Sequence, residues 1–290
     1  MNLNRSTNLK IFKKEIGQAN HFLITLLVGL DGIKDGKVEL KTEFRTSWNP
    51  KDKKVSAQRS RNFAKKSTLA WIVDNIDMYL IKCNEQPKLI QDDLLIQKFD
   101  KCGRSVYNKY KAICEYYNID GIEKAFVDLI ICWRNRLVHY KAENEIMDAS
   151  RTVLIEKKEY INKNYSGLDT ELMLFKFDTS KEPSFKEVAS MIRASIAYIC
   201  ILDDILLEKL DGVKYADKVI YYYIKEDKIK RFNNIFSKDV QTKERTIRNI
   251  LRNSGFNEAI DQKLEGFIES IKLYSVIEAN RRYAQGSFIG

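Results

Sequence analysis

Residues 183–210 read PSFKEVASMIRASIAYICILDDILLEKL, and this run decides the fold class. It reads as one helix from Phe185 to Leu210, with Pro183-Ser184 as its opening cap. On the N-terminal side, apolar residues recur at helical spacing from about Leu9 to Leu30, where Asp31-Gly32 is expected to stop them. A long helix is expected from Ser56 to about Cys83, carrying Leu69, Ile72, Ile76 and Leu80 on one side and ending at Asn84 to Pro87. The pattern predicts further helices at about 91–98, 103–117, 121–142 and 146–162, with a stop near Ser166-Gly167. Toward the C-terminus, 215–237, 240–253 and 257–284 read as three more, the last two separated by Ser254-Gly255.

Only 12 Gly and 3 Pro occur in 290 residues, a poor supply for the turns of a β-sandwich or barrel. Apolar residues make up 44%, enough for a substantial core. The expected fold is therefore all-α, a bundle of long antiparallel helices. Residues 1–214 would form the main domain and 215–290 a C-terminal helical extension. A basic loop near 33–55 interrupts the first part. Within it VELKTEF alternates weakly, suggesting a short strand pair, and Ser47-Trp48-Asn49-Pro50 breaks any regular element.

The five cysteines, Cys83, Cys102, Cys114, Cys132 and Cys200, are scattered and lack CxxC spacing. They read as reduced, packed thiols of a cytoplasmic protein. With two histidines in the chain, a His/Cys zinc site is not expected. The most apolar run, Phe22 to Leu30, is shorter than the roughly 20 residues of a membrane span. No membrane segment is expected. No P-loop and no G-x-S-x-G is present. His21, inside the apolar N-terminal helix, reads as a packed core or interface histidine.

The segment with chemistry in it is Cys132-Trp133-Arg134-Asn135-Arg136-Leu137-Val138-His139-Tyr140. Phe126, Ile130, Trp133 and Leu137 form an apolar stripe, and Arg134 projects close to its middle. A guanidinium is costly to desolvate, so Arg134 must meet a carboxylate, line a cleft, or sit where the helix is interrupted. Asn135 and His139, four apart, share a neighbouring face. On a straight helix Arg134 and His139 would point roughly 140° apart. Aiming both at one bond then requires an irregular helix or a second subunit.

The run Arg134-Asn135-Arg136-Leu137-Val138-His139 resembles the signature of the HEPN superfamily, an Arg followed by Asn, Asp or His, then a His after four to six intervening residues. The resemblance covers these six residues and their helical surroundings, not the C-terminal region. It implies a helical bundle that forms a homodimer, with two motifs in one composite active site. The implied activity is a metal-independent endoribonuclease that uses the substrate's own 2′-OH and needs no cofactor. The implied setting is a toxin or antiviral defence effector, restrained by an antitoxin or regulatory protein. Carried onto this chain, His139 becomes the general acid or base, for which an imidazole titrating near neutrality is suited. Arg134 would neutralise charge on the phosphoryl oxygens through planar two-point contacts. Asn135 would orient His139 or hold the phosphate. A regulated subgroup carries a Tyr two residues after the His; here Tyr140 is adjacent to it and position 141 is Lys, so regulation through that tyrosine is not implied. The alternative is a catalytically inactive module that binds nucleic acid or a nucleotide, as an antitoxin or sensor subunit.

Net charge is +10, and its distribution matters more than its size. Residues 1–70 hold 15 Lys/Arg against 6 Asp/Glu, so nearly all the excess is N-terminal. Nine basic residues against Glu43 and Asp52 fall in 41–66, interleaved with Phe44, Trp48 and Phe63. Such a segment can release counterions from RNA phosphates and stack unpaired bases. Lys51, Lys53, Lys54, Arg59, Arg61, Lys65 and Lys66, with Arg136 beside the motif, are the expected RNA contacts. The competing reading is a solvated charged loop leading into a helix. A second basic helix, 240–253, carries Lys243, Arg245, Arg248 and Arg252 and reads as a solvated face.

Overall fold

The computed structural model describes residues 1–38, 41, 43, 48–139, 144–258 and 261–284. Among these residues regular structure is helical, with one isolated antiparallel bridge between Asn2 and Asn257. In chain order the helices are α1 (Thr7–Lys34), α2 (Lys53–Asn84), α3 (Asp93–Lys101), α4 (Val106–Tyr117) and α5 (Ile122–Val138). Then come α6 (Asp148–Glu156), α7 (Lys158–Asn164), α8 (Thr170–Asp178), α9 (Phe185–Glu208) and α10 (Gly212–Glu226). The last are α11 (Lys228–Phe236), α12 (Val240–Asn253), α13 (Gln262–Lys272), α14 (Val276–Ala279) and a π-helical turn, Asn280–Ala284. The fold is all-α, as the sequence indicates.

The differences from the sequence reading lie at helix ends. Asp31-Gly32 does not stop α1, because one glycine costs a helix only about 1 kcal/mol. Termination waits for Gly36, at φ 70°, where Lys37 N–H donates back to the Gly32 carbonyl at 2.9 Å. Asp227 breaks the expected 215–237 helix by capping a new one, accepting from Lys230 N–H at 3.3 Å. The expected 146–162 helix divides at Lys157, and 257–284 begins only after the Asp261 cap. Helix α8 was not foreseen; Asp169 starts it by accepting from Leu172 N–H at 2.9 Å. Pro183-Ser184 does cap α9: Glu187 N–H donates to Ser184 Oγ, and Ser184 N–H donates to the Glu187 carboxylate. The strand pair expected near 38–44 falls mostly outside the described residues.

The chain divides into two compact units. One comprises Phe12–Met78 and Lys101–Ile199; the other comprises Met1–Ile11, Tyr79–Asp100 and Cys200–Gly290. Residues 215–290 are therefore not a free-standing extension after 214. They share a unit with the N-terminal residues, joined through the Asn2–Asn257 bridge. Gly255, at φ 105°, permits this approach, since a Cβ there would lie 2.9 Å from the Arg5 carbonyl. In the same unit the buried Asp203 accepts from Ser6 N–H and from Tyr79 O–H, at 3.0 and 2.8 Å.

The first unit contains the motif. Its core is built on the buried side chains of Tyr110, Phe126, Trp133, Phe177 and Tyr198. All five cysteines are free thiols, and Cys83, Cys114 and Cys132 are buried. Burial pushes the Cys83 and Cys114 thiols up to about 12 and 11, so neither offers a thiolate at neutral pH.

Candidate active site

Helix α5 is buried on every side from Ala125 to Trp133, because nine consecutive residues there face neighbours. Trp133 ends that stretch, donating from Nε1 to the Lys181 carbonyl at 3.0 Å and meeting the Phe177 ring edge-on. From Arg134 to Leu137 the helix is half-buried, and Val138 is 49% exposed. Arg134 thus marks where burial ends rather than the centre of a buried face.

The helix stops four residues before the expected end at 142. His139 takes φ −99° and ψ 125°, extended backbone, while its N–H still donates to the Asn135 carbonyl at 3.0 Å. Leaving the helical path brings its ring back over the last turn, and Arg134 Nη1 donates to His139 Nε2 at 3.0 Å. The two side chains that a straight helix would separate therefore meet within one chain. The angular argument for a second subunit falls away. Since arginine can only donate, Nε2 accepts and the ring proton sits on Nδ1.

Arg134 is held without a direct ion pair among the described residues. Burial pushes its guanidinium below the ordinary value, and the carboxylates of Asp74 and Asp77 on α2 pull it back up. Asp77 is shared, accepting from the buried Lys109 Nζ at 2.7 Å, whereas Asp74 is exposed. The Nε of Arg134 is buried with no partner among the described residues. Such an orphan donor costs on the order of 1–3 kcal/mol, a penalty a purely structural arginine would avoid. Asn135 is half-buried and contributes its carbonyl to the His139 turn; among the described residues its side chain makes no hydrogen bond. Sequence reasoning anticipated a carboxylate for Arg134 but not which one. Asp74 and Asp77 lie 60 and 57 residues upstream on another helix, and no local spacing links them to the motif.

Two ties fix the end of α5 against the segment leading into α6. Buried Asp128 accepts from Met147 N–H at 2.8 Å, and Cys132 Sγ donates to the Glu145 carbonyl at 3.3 Å. Arg136 closes the same junction, donating to the Asn144 and Phe177 carbonyls at 2.7 and 3.1 Å and pairing with Glu145. Its guanidinium also lies 4.1 Å over the Phe177 ring. Arg136 thus has internal partners at the position where the sequence reading expected an RNA contact. Residues 140–143, with Tyr140 and Lys141, lie outside the described residues.

The expected RNA-contacting segment separates into two groups. Lys51, Lys53, Lys54 and Arg59 are exposed. Arg61 instead donates to the Leu27 carbonyl and Asp31, and Lys66 pairs with Glu182 at 3.0 Å. Lys65 is half-buried; burial pushes its ammonium down, opposed by Glu182. Arg45 and Phe44 lie outside the described residues. On α12, Arg248 pairs with Glu265 and Glu244, Arg252 pairs with Glu258, and Lys243 is buried on the Tyr274 carbonyl. That helix is held by ion pairs within its own unit rather than presenting an open basic face. His21 is exposed, so the core role expected for it does not hold.

No family model, curated protein or solved structure matches the chain. What the site can do is set by its own residues: a guanidinium and an imidazole in contact, at an accessible helix end.

Proposed function

We propose that the chain is a metal-independent endoribonuclease of the HEPN kind, with Arg134 and His139 as its catalytic pair. The 3.0 Å contact between Arg134 Nη1 and His139 Nε2 carries the reading. It places a phosphate-binding fork and a ring nitrogen that accepts protons side by side. An RNA phosphate competes with Nε2 for the guanidinium and takes its planar N–H groups in two-point contacts. Released from Arg134, Nε2 removes the proton of the adjacent 2′-OH. The 2′-oxygen forms its bond to phosphorus, the bond to the 5′-oxygen breaks, and that oxygen takes a proton from water. Arg134 stabilises the charge that builds on the phosphoryl oxygens. The side-chain amide of Asn135, which makes no hydrogen bond among the described residues, helps to hold the phosphate.

Exposed Lys51, Lys53, Lys54 and Arg59 supply the electrostatic attraction for RNA. The biological role proposed is that of a cytoplasmic toxin or antiviral defence effector held in check by an antitoxin or regulatory protein. Incubating single-stranded RNA with the protein in EDTA tests the chemistry. The expected products are shortened RNA with 2′,3′-cyclic phosphate and 5′-hydroxyl ends. RNA that is bound yet keeps its length would assign the chain to the inactive binding modules instead.

A further inference from the structure

Helix α1 changes character halfway along. Its inner stripe is ordinary: Phe12, Ile16, Ala19, Leu23 and Leu27 recur at i, i+4, i+7, i+11 and i+15 and are buried. Its outer side is not. Charged residues stop at Glu15 and resume at Asp31, so Ile16 to Leu30 carries none. A helix on a water-facing surface places charge opposite its buried stripe. Here that side presents Phe22, Leu26 and Val28, at 60%, 53% and 66% exposure. On α2 the outer residues Ser60, Phe63, Ser67 and Trp71 are also uncharged, and Phe63 is 73% and Trp71 46% exposed. A groove of about 320 Å³ between the helices joins Phe22 and Leu26 to Phe63 and Trp71 in one apolar face.

The two helices run antiparallel, since Arg61 meets Leu27 and Asp31 while Trp71 shares the groove with Ala19. The end of α1 and the start of α2 therefore lie together, and exposed cations collect there: Lys34, Lys51, Lys53, Lys54 and Arg59. The acids at that end are already engaged. Asp31 pairs with Arg61 and Asp35 with Lys37, while Asp52 accepts from Lys54 and Val55 N–H at 2.7 and 3.1 Å.

We infer that this face docks on an anionic lipid surface, its apolar side among the upper acyl chains and its cations against the headgroups. An aromatic and aliphatic face edged by Lys and Arg is the composition of helices that settle roughly 5–10 Å into the interface. Long lysine stems let the ammonium groups stay at headgroup level while the apolar face goes deeper. Trp71, at the edge of the face, is the residue type that anchors at that level. The cations select lipid over a neutral apolar partner, because each gains about fivefold in affinity at an anionic bilayer. By length and composition α1 is able to cross a membrane. Docking follows instead from its packing: the uncharged run spans about 22 Å against a hydrocarbon core of about 30 Å, and its inner stripe belongs to the protein core.

The inference stands apart from the ribonuclease reading, although Lys51, Lys53, Lys54 and Arg59 are the cations assigned there to RNA. Flotation of the full chain with vesicles tests it without RNA, so its failure leaves that reading untouched. Wild type is expected to rise with phosphatidylserine–phosphatidylcholine vesicles and far less with phosphatidylcholine alone. Phe63→Glu and Leu26→Glu should each weaken that binding by about tenfold or more, with helical circular dichroism retained. Replacing the four cations by Gln should weaken it by up to about fivefold for each. Ile229→Glu, at a 79% exposed position in the other unit, should leave it unchanged. Should the glutamate variants misfold, brominated phosphatidylcholine in the same vesicles tests the face by quenching tryptophan emission. Trp71→Phe should remove the larger part of that quenching, since Trp133 is buried in the core. A wild type that stays in the soluble fraction, as a monomer or as a dimer closed over this face, overturns the inference. So does flotation indifferent to Phe63→Glu and Leu26→Glu, or quenching that survives Trp71→Phe.

Discussion

Arg134 and His139 are five residues apart in sequence, and the guanidinium of one donates to the ring of the other at 3.0 Å because the helix ends between them. Had α5 continued to residue 142, the two side chains would have pointed to different sides. The extended backbone of His139 is therefore as much a part of the site as its imidazole. The contacts that stop the helix there become functional by consequence, and they can be tested separately from the chemistry.

Arg136 is the first of these. Its side chain is 9% exposed and spends its donors on Asn144, Phe177 and Glu145. Arg136→Ala is expected to lower stability by about 2–4 kcal/mol, read from urea denaturation. A variant as stable as wild type that binds RNA more weakly would return Arg136 to the RNA surface.

Asp128 gives a pH-dependent test. Burial pushes its carboxyl above the ordinary value, against the Met147 N–H and other donors that lower it. The folded state therefore keeps the proton where the unfolded chain has lost it. Stability from this group is full below the unfolded carboxylate range and declines as pH rises from about 4 through the raised folded value. Asp128→Asn keeps an acceptor for Met147 N–H and removes the titration. Its stability relative to wild type should rise between pH 4 and 7 in paired urea titrations. Asp128→Ala, which leaves that N–H without its acceptor, should be less stable than either. A constant difference between the Asn variant and wild type would remove the buried titration from the account.

The basic segment divides by exposure. Replacing Lys51, Lys53, Lys54 and Arg59 together by Gln should weaken RNA binding and flatten its salt dependence, by up to about 0.7 in log–log slope per lost contact. Fold stability should be unchanged, because these side chains are exposed. Arg61→Gln should act in the opposite sense, costing stability through Leu27 and Asp31. An unchanged salt slope in the fourfold variant, measured by titration of labelled single-stranded RNA, would move the RNA path elsewhere.

Helix identity was legible in the sequence and helix ends were less so. Phe185 to Glu208 was readable because long apolar periodicity and the Pro183-Ser184 cap agree, and Val240 to Asn253 because Ser254-Gly255 marks its end. Asp31-Gly32 misled because a glycine weakens a helix without ending it, whereas Gly36 ends α1 through a left-handed turn. Helix α8, only nine residues long, carries too little periodicity to stand out beside Ser166-Gly167. For the site, the pair Arg134 and His139 was readable and their distance was not. Spacing on an ideal helix argued them apart, and only the backbone turn at His139 brings them together. The charges that hold Arg134 come from α2, and a tertiary neighbour of that kind leaves no local trace.

The contact between Arg134 and His139 is tested most directly by one gel. Single-stranded RNA is incubated in EDTA with wild type, with His139→Ala and with the Arg134→Ala, His139→Ala double variant, each confirmed helical by circular dichroism. Wild type is expected to shorten the RNA, and both variants are expected to leave it at full length. Cleavage by the double variant at the wild-type rate would contradict the account.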